Sequence, residues 1–224
     1  MNIDLPVPDF STLSRRGKSI SIERSQPKTG GPITVIVDST GLEIHRGSDW
    51  CEEKHGTGKS RKSWRKLHIG LDLESGEIVA SLLTTDDVGD ETALPQLMTD
   101  IETKVSRVLA DGAYDGVDVF NTLTDAFGSH VEVIIPPPKN GVVGLYDTRD
   151  AHIISIAEIG RMAWQTVTGY KDRALVEAQI GRWKLIIGDT LKSRNIDTQI
   201  TEIRTATKVL NRMTGLGRAA FERV

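Results

Sequence analysis

Four polar residues near the C-terminus carry the strongest chemical signal in this chain: Tyr170, Arg173, Glu177 and Lys184, inside GYKDRALVEAQIGRWKLIIG. That segment reads as a helix, and at about 100° per residue the four side chains fall within an arc of roughly 60°. Val176, Ile180, Trp183 and Ile187 form an apolar stripe beside the arc, so one edge of the helix must be buried. A carboxylate flanked by cations at the edge of a core suits the handling of phosphate with a metal; taken alone, the same stripe also reads as a surface helix with salt bridges. Two aspartates extend the set. Asp38 ends ITVIVD and Asp111 ends RVLAD, both short β-branched runs that predict buried strands. Each is followed by a turn-like stretch, Ser39-Thr40-Gly41 and Gly112-Ala113, where an Asp also has an ordinary capping role. Brought to one sheet edge, three carboxylates would repel unless a divalent cation such as Mg²⁺ neutralised them; Mg²⁺ favours hard oxygen ligands and leaves positions open for phosphate oxygens.

These motifs together resemble a family. VDSTGL (Val37 to Leu42), KHG (Lys54 to Gly56), SWRKLHIGLD (Ser63 to Asp72), LADGAYDG (Leu109 to Gly116) and the Tyr-Arg-Glu-Lys helix occur in the order seen in DDE transposases of bacterial insertion sequences. The chain is most similar to the insertion-sequence-five group of the insertion-sequence-four-like superfamily, from about Leu5 to the final helix. The resemblance implies an RNase-H-like core with Asp38, Asp111 and Glu177 as the catalytic, metal-binding triad. It also implies that Tyr170, Arg173 and Lys184 contact transposon-end DNA near the reacting phosphate. The cofactor would be Mg²⁺, with Mn²⁺ able to substitute, and the partner double-stranded DNA, both element ends and target. Asp38 and Asp111 would hold one ion over the attacking water or 3′-hydroxyl, and Asp38 and Glu177 a second over the leaving 3′-oxygen. No serine or cysteine nucleophile is required. Paired-end chemistry makes a DNA-assembled homodimer an accompanying expectation.

Composition agrees with a globular enzyme: 224 residues suffice for one substantial core. The chain has no apolar stretch of membrane-spanning length and no secretory signal, and a lone Cys51 fits a reducing bacterial cytoplasm, where a DNA enzyme would associate with the nucleoid. A net charge of −3 does not advertise nucleic-acid binding, but the distribution is uneven. KHGTGKSRKSWRKLH (Lys54 to His68) holds Lys54, Lys59, Arg61, Lys62, Arg65 and Lys66 with no acid, and Trp64 lies among them. Such a run can follow phosphates and stack on a base, so Lys59, Arg61, Lys62, Trp64, Arg65 and Lys66 are candidate DNA contacts; the plain reading is a solvated loop leading into a strand. Arg15, Arg16 and Lys18 are a weaker second patch. GTGKS lacks the first glycine of a P-loop, whose place is taken by Glu53, and Cys51 with His45, His55 or His68 lacks zinc-ligand spacing. His68, in a strand where alternation could point it to either face, reads first as structural, with a role near the catalytic carboxylates as the second reading.

The elements that must position the triad follow from periodicity and turn residues. Strands are predicted at Ile33 to Asp38, Leu42 to His45, Lys66 to Asp72, Glu77 to Leu83, Arg107 to Asp111 and Val131 to Ile135, the last stopped by Pro136-Pro137-Pro138. Helices are predicted in ETALPQLMTDIETK, starting at Asp90 or Thr92, in DVFNTLTDAF, largely over Thr148 to Thr166, through the polar-stripe segment, and from about Thr198 to Thr214. Asp86, Asp87, Asp90 and Glu91 serve a helix N-terminus in this reading, and Asp147 and Asp150 another. KNGVVGLYDTRD reads as a loop over the DNA side. The fold class is α/β: an RNase-H-like core with a central mixed sheet flanked by helices. Residues 1–31 are assigned as an extended N-terminal arm or linker and 32–224 as the DDE catalytic domain.

The activity expected is metal-dependent cleavage and strand transfer at insertion-sequence ends. Two alternatives stand beside it: a metal-dependent nuclease on the same core, and a truncated, non-catalytic DNA-binding remnant. The second arises because relatives carry a helical DNA-recognition region ahead of the stretch LPVPDFSTLSRR, where this chain has almost nothing.

Overall fold

The structure, a computed structural model, describes residues 9–22, 30–44 and 64–217. A six-stranded mixed sheet forms its middle layer. The strands are β1 (Ile33–Ile44), β2 (Trp64–Asp72), β3 (Ile78–Thr85), β4 (Val105–Leu109), β5 (Glu132–Ile134) and β6 (Thr190–Leu191). Their order is β3-β2-β1-β4-β5, with β6 paired to the far end of β1. β1, β2 and β3 are mutually antiparallel, whereas β4 runs parallel to β1, and β5 to β4. The described helices are α1 (Phe10–Arg16), α2 (Asp90–Met98), α3 (Val117–Phe127), α4 (Asp147–Ile159), α5 (Arg161–Val167), α6 (Ala174–Ile186) and α7 (Ile196–Gly215). This is the α/β, RNase-H-like arrangement expected from the element order.

Strand periodicity divides the core into two layers. Val35, Val37 and Val108 pack with Leu94, Phe120 and Leu123 of α2 and α3. Ile36, Leu67, Ile69 and Leu109 pack on the other face with Trp164, Trp183 and Leu210 of α5, α6 and α7. Successive side chains on a strand point to opposite faces, so the unbroken apolar runs of β1 and β4 feed both layers. Asn211 fastens α7 to the sheet edge: its side chain accepts from the Ile78 N–H and donates to the Ile78 carbonyl, each at 2.8 Å. The outward backbone groups of edge strand β3 are thereby partly satisfied.

The sheet corrects several sequence expectations. β1 does not end at Asp38, and Leu42 to His45 is not a separate strand: β1 continues through Ser39-Thr40-Gly41, paired to β2 from Val35↔Asp72 to Glu43↔Trp64. A full antiparallel ladder overrides the turn preference of those residues. Asp38 therefore projects from mid-strand, beside β4, which stops earlier. The helix expected over Thr148 to Thr166 is broken at Gly160, whose φ of +81 lies in the left-handed region. The helix from Asp90 ends at Met98, short of the Thr99 to Lys104 extension. Residues 10–16, expected in an extended arm, are helical. Val209 and Met213 of α7, read as core, are 45% and 39% exposed; Ile203 and Leu210 are buried as expected.

Candidate active site

β1, β4 and α6 carry the three acids to one point. Asp38 lies on β1 opposite Ile69 of β2. Asp111 follows β4 after Ala110, at the carboxyl end of a parallel strand, and caps the short 3₁₀ turn Gly112–Tyr114 by accepting from the Ala113 N–H at 2.9 Å. A Cβ at Gly112 would stand 3.3 Å from the Pro136 carbonyl, so this turn is pressed against the end of β5. Gly169, at φ +70, starts a second 3₁₀ turn, Tyr170–Arg173, which leads directly into α6 and Glu177. The single α-helix expected to carry all four stripe residues is thus a 3₁₀ turn followed by an α-helix.

Arg173 joins the three carboxylates. Its Nη2 donates to Asp38 Oδ2 at 3.2 Å and to Asp111 Oδ2 at 3.5 Å, and its Nη1 donates to Glu177 Oε1 at 2.6 Å. The other oxygen of each aspartate is engaged locally: Asp38 Oδ1 accepts from the Ser39 N–H at 2.9 Å, Asp111 Oδ1 from Ala113. Burial raises the Asp38 carboxyl above its ordinary range, and the nearby Asp111 and Glu177 charges push the same way, while the Ser39 N–H and Arg173 oppose them. For Arg173, burial works against the charge, but Asp38, Tyr170, Asp111 and Glu177 outweigh it and raise the guanidinium further. Tyr170 is half-buried against Trp164, ring centroids 5.5 Å apart, and burial raises its phenol as well. Trp164 donates to His152 Nδ1 at 3.2 Å, and His152 Nε2 lies 2.9 Å from the Val133 carbonyl. An indole N–H only donates and a carbonyl only accepts, so the His152 ring carries its hydrogen on Nε2. Lys184, in the last turn of α6, is exposed.

A family profile described as "Transposase DDE domain" matches residues 29–212, most of the chain. The chain belongs to the DDE transposases. A second profile of the same description matches residues 1–46. Membership implies an enzyme of the DNA phosphoryl-transfer class with DNA as substrate, and DDE transposases in general depend on divalent metal. The donor chemistry suits a hard divalent ion: three carboxylates face one guanidinium, which leaves negative charge in excess. Among the described residues, however, no three histidine, cysteine, aspartate or glutamate side chains stand together as a ready metal-ligand set. The spacing of the transposase acids is that of groups gathered around Arg173.

The basic run is only partly visible. Lys59, Arg61 and Lys62 lie outside the described residues, as do GTGKS, His45, Cys51 and His55. Trp64 is 39% exposed. Arg65 and Lys66 have partners within the fold: Arg65 Nε donates to Gln199 Oε1 at 3.1 Å, and Lys66 Nζ lies 3.2 Å from Asp90 Oδ1 and 3.4 Å from the Val88 carbonyl.

Sequence reasoning named His68 and Asp90 separately but missed their contact behind the acids. Asp90 opens α2 as expected, but its Oδ1 also lies 3.3 Å from Nδ1 of His68, which is 1% exposed. The Tyr114 hydroxyl is buried nearby; burial raises it far above its ordinary range, and Asp90, Asp38 and Asp111 add to that. For His68, burial lowers the imidazole to about 4 from 6.5; Asp90 opposes this and Lys66 adds to it. The ion-pair distance to Asp90 points the other way, but Lys66 already neutralises that oxygen, so burial decides. A folded-state pKa below the unfolded one means that acid protonates the unfolded chain first. Stability is therefore fully present above pH 6.5 and is lost as pH falls toward 4. The loss should be about 3 kcal/mol. Urea denaturation from pH 7 to 4 should show a shallower decline for His68→Gln than for wild type; equal slopes would assign the acid sensitivity elsewhere.

Proposed function

We propose that this transposase, through residues 32–224, cuts DNA at the ends of a bacterial insertion sequence of the insertion-sequence-five group and joins the freed 3′-hydroxyl to target DNA, residues 1–31 serving as an arm. The observation that supports this reading is the convergence of Asp38, Asp111 and Glu177 on Arg173 from three separate elements. Asp38, Asp111 and Glu177 would hold divalent ions, Mg²⁺ or Mn²⁺, which when bound supply Lewis-acid stabilisation of the attacking and leaving oxygens. Arg173 and the exposed Lys184 hold phosphates flanking the scissile one, and Tyr170, braced by Trp164, bonds a third. No side chain forms a covalent intermediate. Trp64, with the cations that precede it in sequence, follows the DNA backbone, and two copies assemble on paired ends.

The test is incubation of the purified chain with supercoiled plasmid, Mg²⁺ or Mn²⁺, and a labelled duplex with a free 3′-hydroxyl. Nicking together with joining of the label supports transposition chemistry. Nicking without joining reduces the reading to a nuclease. Lys184→Ala should leave the fold intact, weaken duplex binding, and lower the slope of log affinity against log salt by about one. An unchanged slope would remove Lys184 from the DNA contact.

A further inference from the structure

Each aspartate of the proposed metal site has one oxygen committed to the backbone and one committed to Arg173. Asp38 Oδ1 and Asp111 Oδ1 accept the Ser39 and Ala113 N–H groups. Asp38 Oδ2 and Asp111 Oδ2 both accept from a single nitrogen, Arg173 Nη2. A cation held by the two aspartates would compete for the carboxylate charge that Arg173 Nη2 now neutralises. The guanidinium is not fully satisfied by its position, because its Nε is buried without a hydrogen-bond partner. Its contacts to the two aspartates, at 3.2 and 3.5 Å, are looser than its 2.6 Å bond to Glu177. Glu177, four residues on, is 59% exposed at its side chain, so the guanidinium has an open route toward solvent on that side.

We propose that Arg173 is a resident competitor for the divalent cation, displaced from Asp38 and Asp111 when metal loads and then free to grip a DNA phosphate. This rests on the reading of Asp38, Asp111 and Glu177 as the metal site. It makes Arg173 a coupling device. A phosphate that draws the guanidinium away uncovers the aspartates, and a cation that takes the aspartates releases the guanidinium. Linkage requires the two effects to be reciprocal. In the absence of DNA, Arg173 weakens metal binding and thereby restrains cleavage at sites where no phosphate has been captured.

The experiment is Mn²⁺ binding without DNA, by calorimetry and by electron paramagnetic resonance of the free ion, on the full chain at fixed ionic strength. Arg173→Gln should bind Mn²⁺ about tenfold more tightly than wild type. Arg173→Lys, which keeps one charge but cannot span three carboxylates, should be intermediate; it also serves if the glutamine variant fails to fold. The rise in melting temperature on adding Mn²⁺ should be larger in either variant than in wild type. Equal or weaker binding in both Arg173 variants, with binding lost in Asp111→Asn, would overturn the competition and leave the metal site standing. Undiminished binding in an Asp111→Asn, Arg173→Gln double variant, or no Mn²⁺ binding in any form, would overturn both.

Discussion

Asp111→Asn is expected to lower Mn²⁺-supported nicking of supercoiled plasmid by about 100-fold to 1000-fold or more, the scale set by removing one preorganised electrostatic contact to a transition state. The folded state should survive. The side-chain amide oxygen that this substitution leaves in place can still accept the Ala113 N–H that shapes the Gly112–Tyr114 turn, so the 3₁₀ cap is retained. What disappears is one negative charge, 35% exposed at its side chain and 3.5 Å from Arg173. An ion pair that open contributes about 0–1 kcal/mol, so the thermal midpoint should stay near wild type. Asp38→Ala and Glu177→Gln should lose activity in parallel, since all three acids gather on Arg173. Activity retained in any of the three variants, measured beside a circular dichroism melt, would remove that residue from the triad.

Arg149→Met should destabilise the fold by about 3–5 kcal/mol, the loss expected when one partner of a buried ion pair is removed. Arg149 is 5% exposed. Its Nε donates to Asp115 at 2.9 and 3.1 Å, its Nη2 to Asp115 at 3.0 Å, and its Nη1 to the Val142 carbonyl at 2.9 Å. Truncation leaves the Asp115 carboxylate, 4% exposed at its side chain, without its counter-charge, and a carbonyl without its donor. Asp115 stands just after the turn that Asp111 caps, so the Pro136 to Tyr146 loop is tied to the candidate site through this pair. Adding Asp115→Asn to Arg149→Met should recover part of the loss in chemical denaturation, since no buried charge then remains unpaired. A loss below about 1 kcal/mol for Arg149→Met would show that the pair is solvated or replaced in solution.

The two aspartates differ in how far their sequence context foretold their setting. Around Asp111, the apolar run and the Gly-Ala that follows describe what forms: a parallel strand, a stop and a capped turn. Around Asp38, the same reading put a strand end where β1 continues to Ile44. Ser39-Thr40-Gly41 has turn residues, but β2 pairs with every one of them, and ladder hydrogen bonds outweigh a weak local preference. The stripe of Tyr170, Arg173, Glu177 and Lys184 was legible as a polar set, and the Arg173–Glu177 pair within it forms. The 3₁₀ turn carrying its first half was not, because Gly169 in the left-handed region resets the chain just before Tyr170.

By itself the sequence determined the α/β class, the two-sided burial of β1 and β4, and the residue types of the site, since these follow from periodicity, turn chemistry and motifs within short windows. Only the tertiary structure decided who pairs with whom. Arg173 meets Asp38 across 135 residues and Asp111 across 62, and Arg149 meets Asp115 across 34. The inward ties of Arg65 and Lys66, and the burial of His68 beside Asp90, belong to the same class. Local pattern fixes which face a side chain takes on its own element. Partner, burial and hence charge state depend on which distant element is packed against that face.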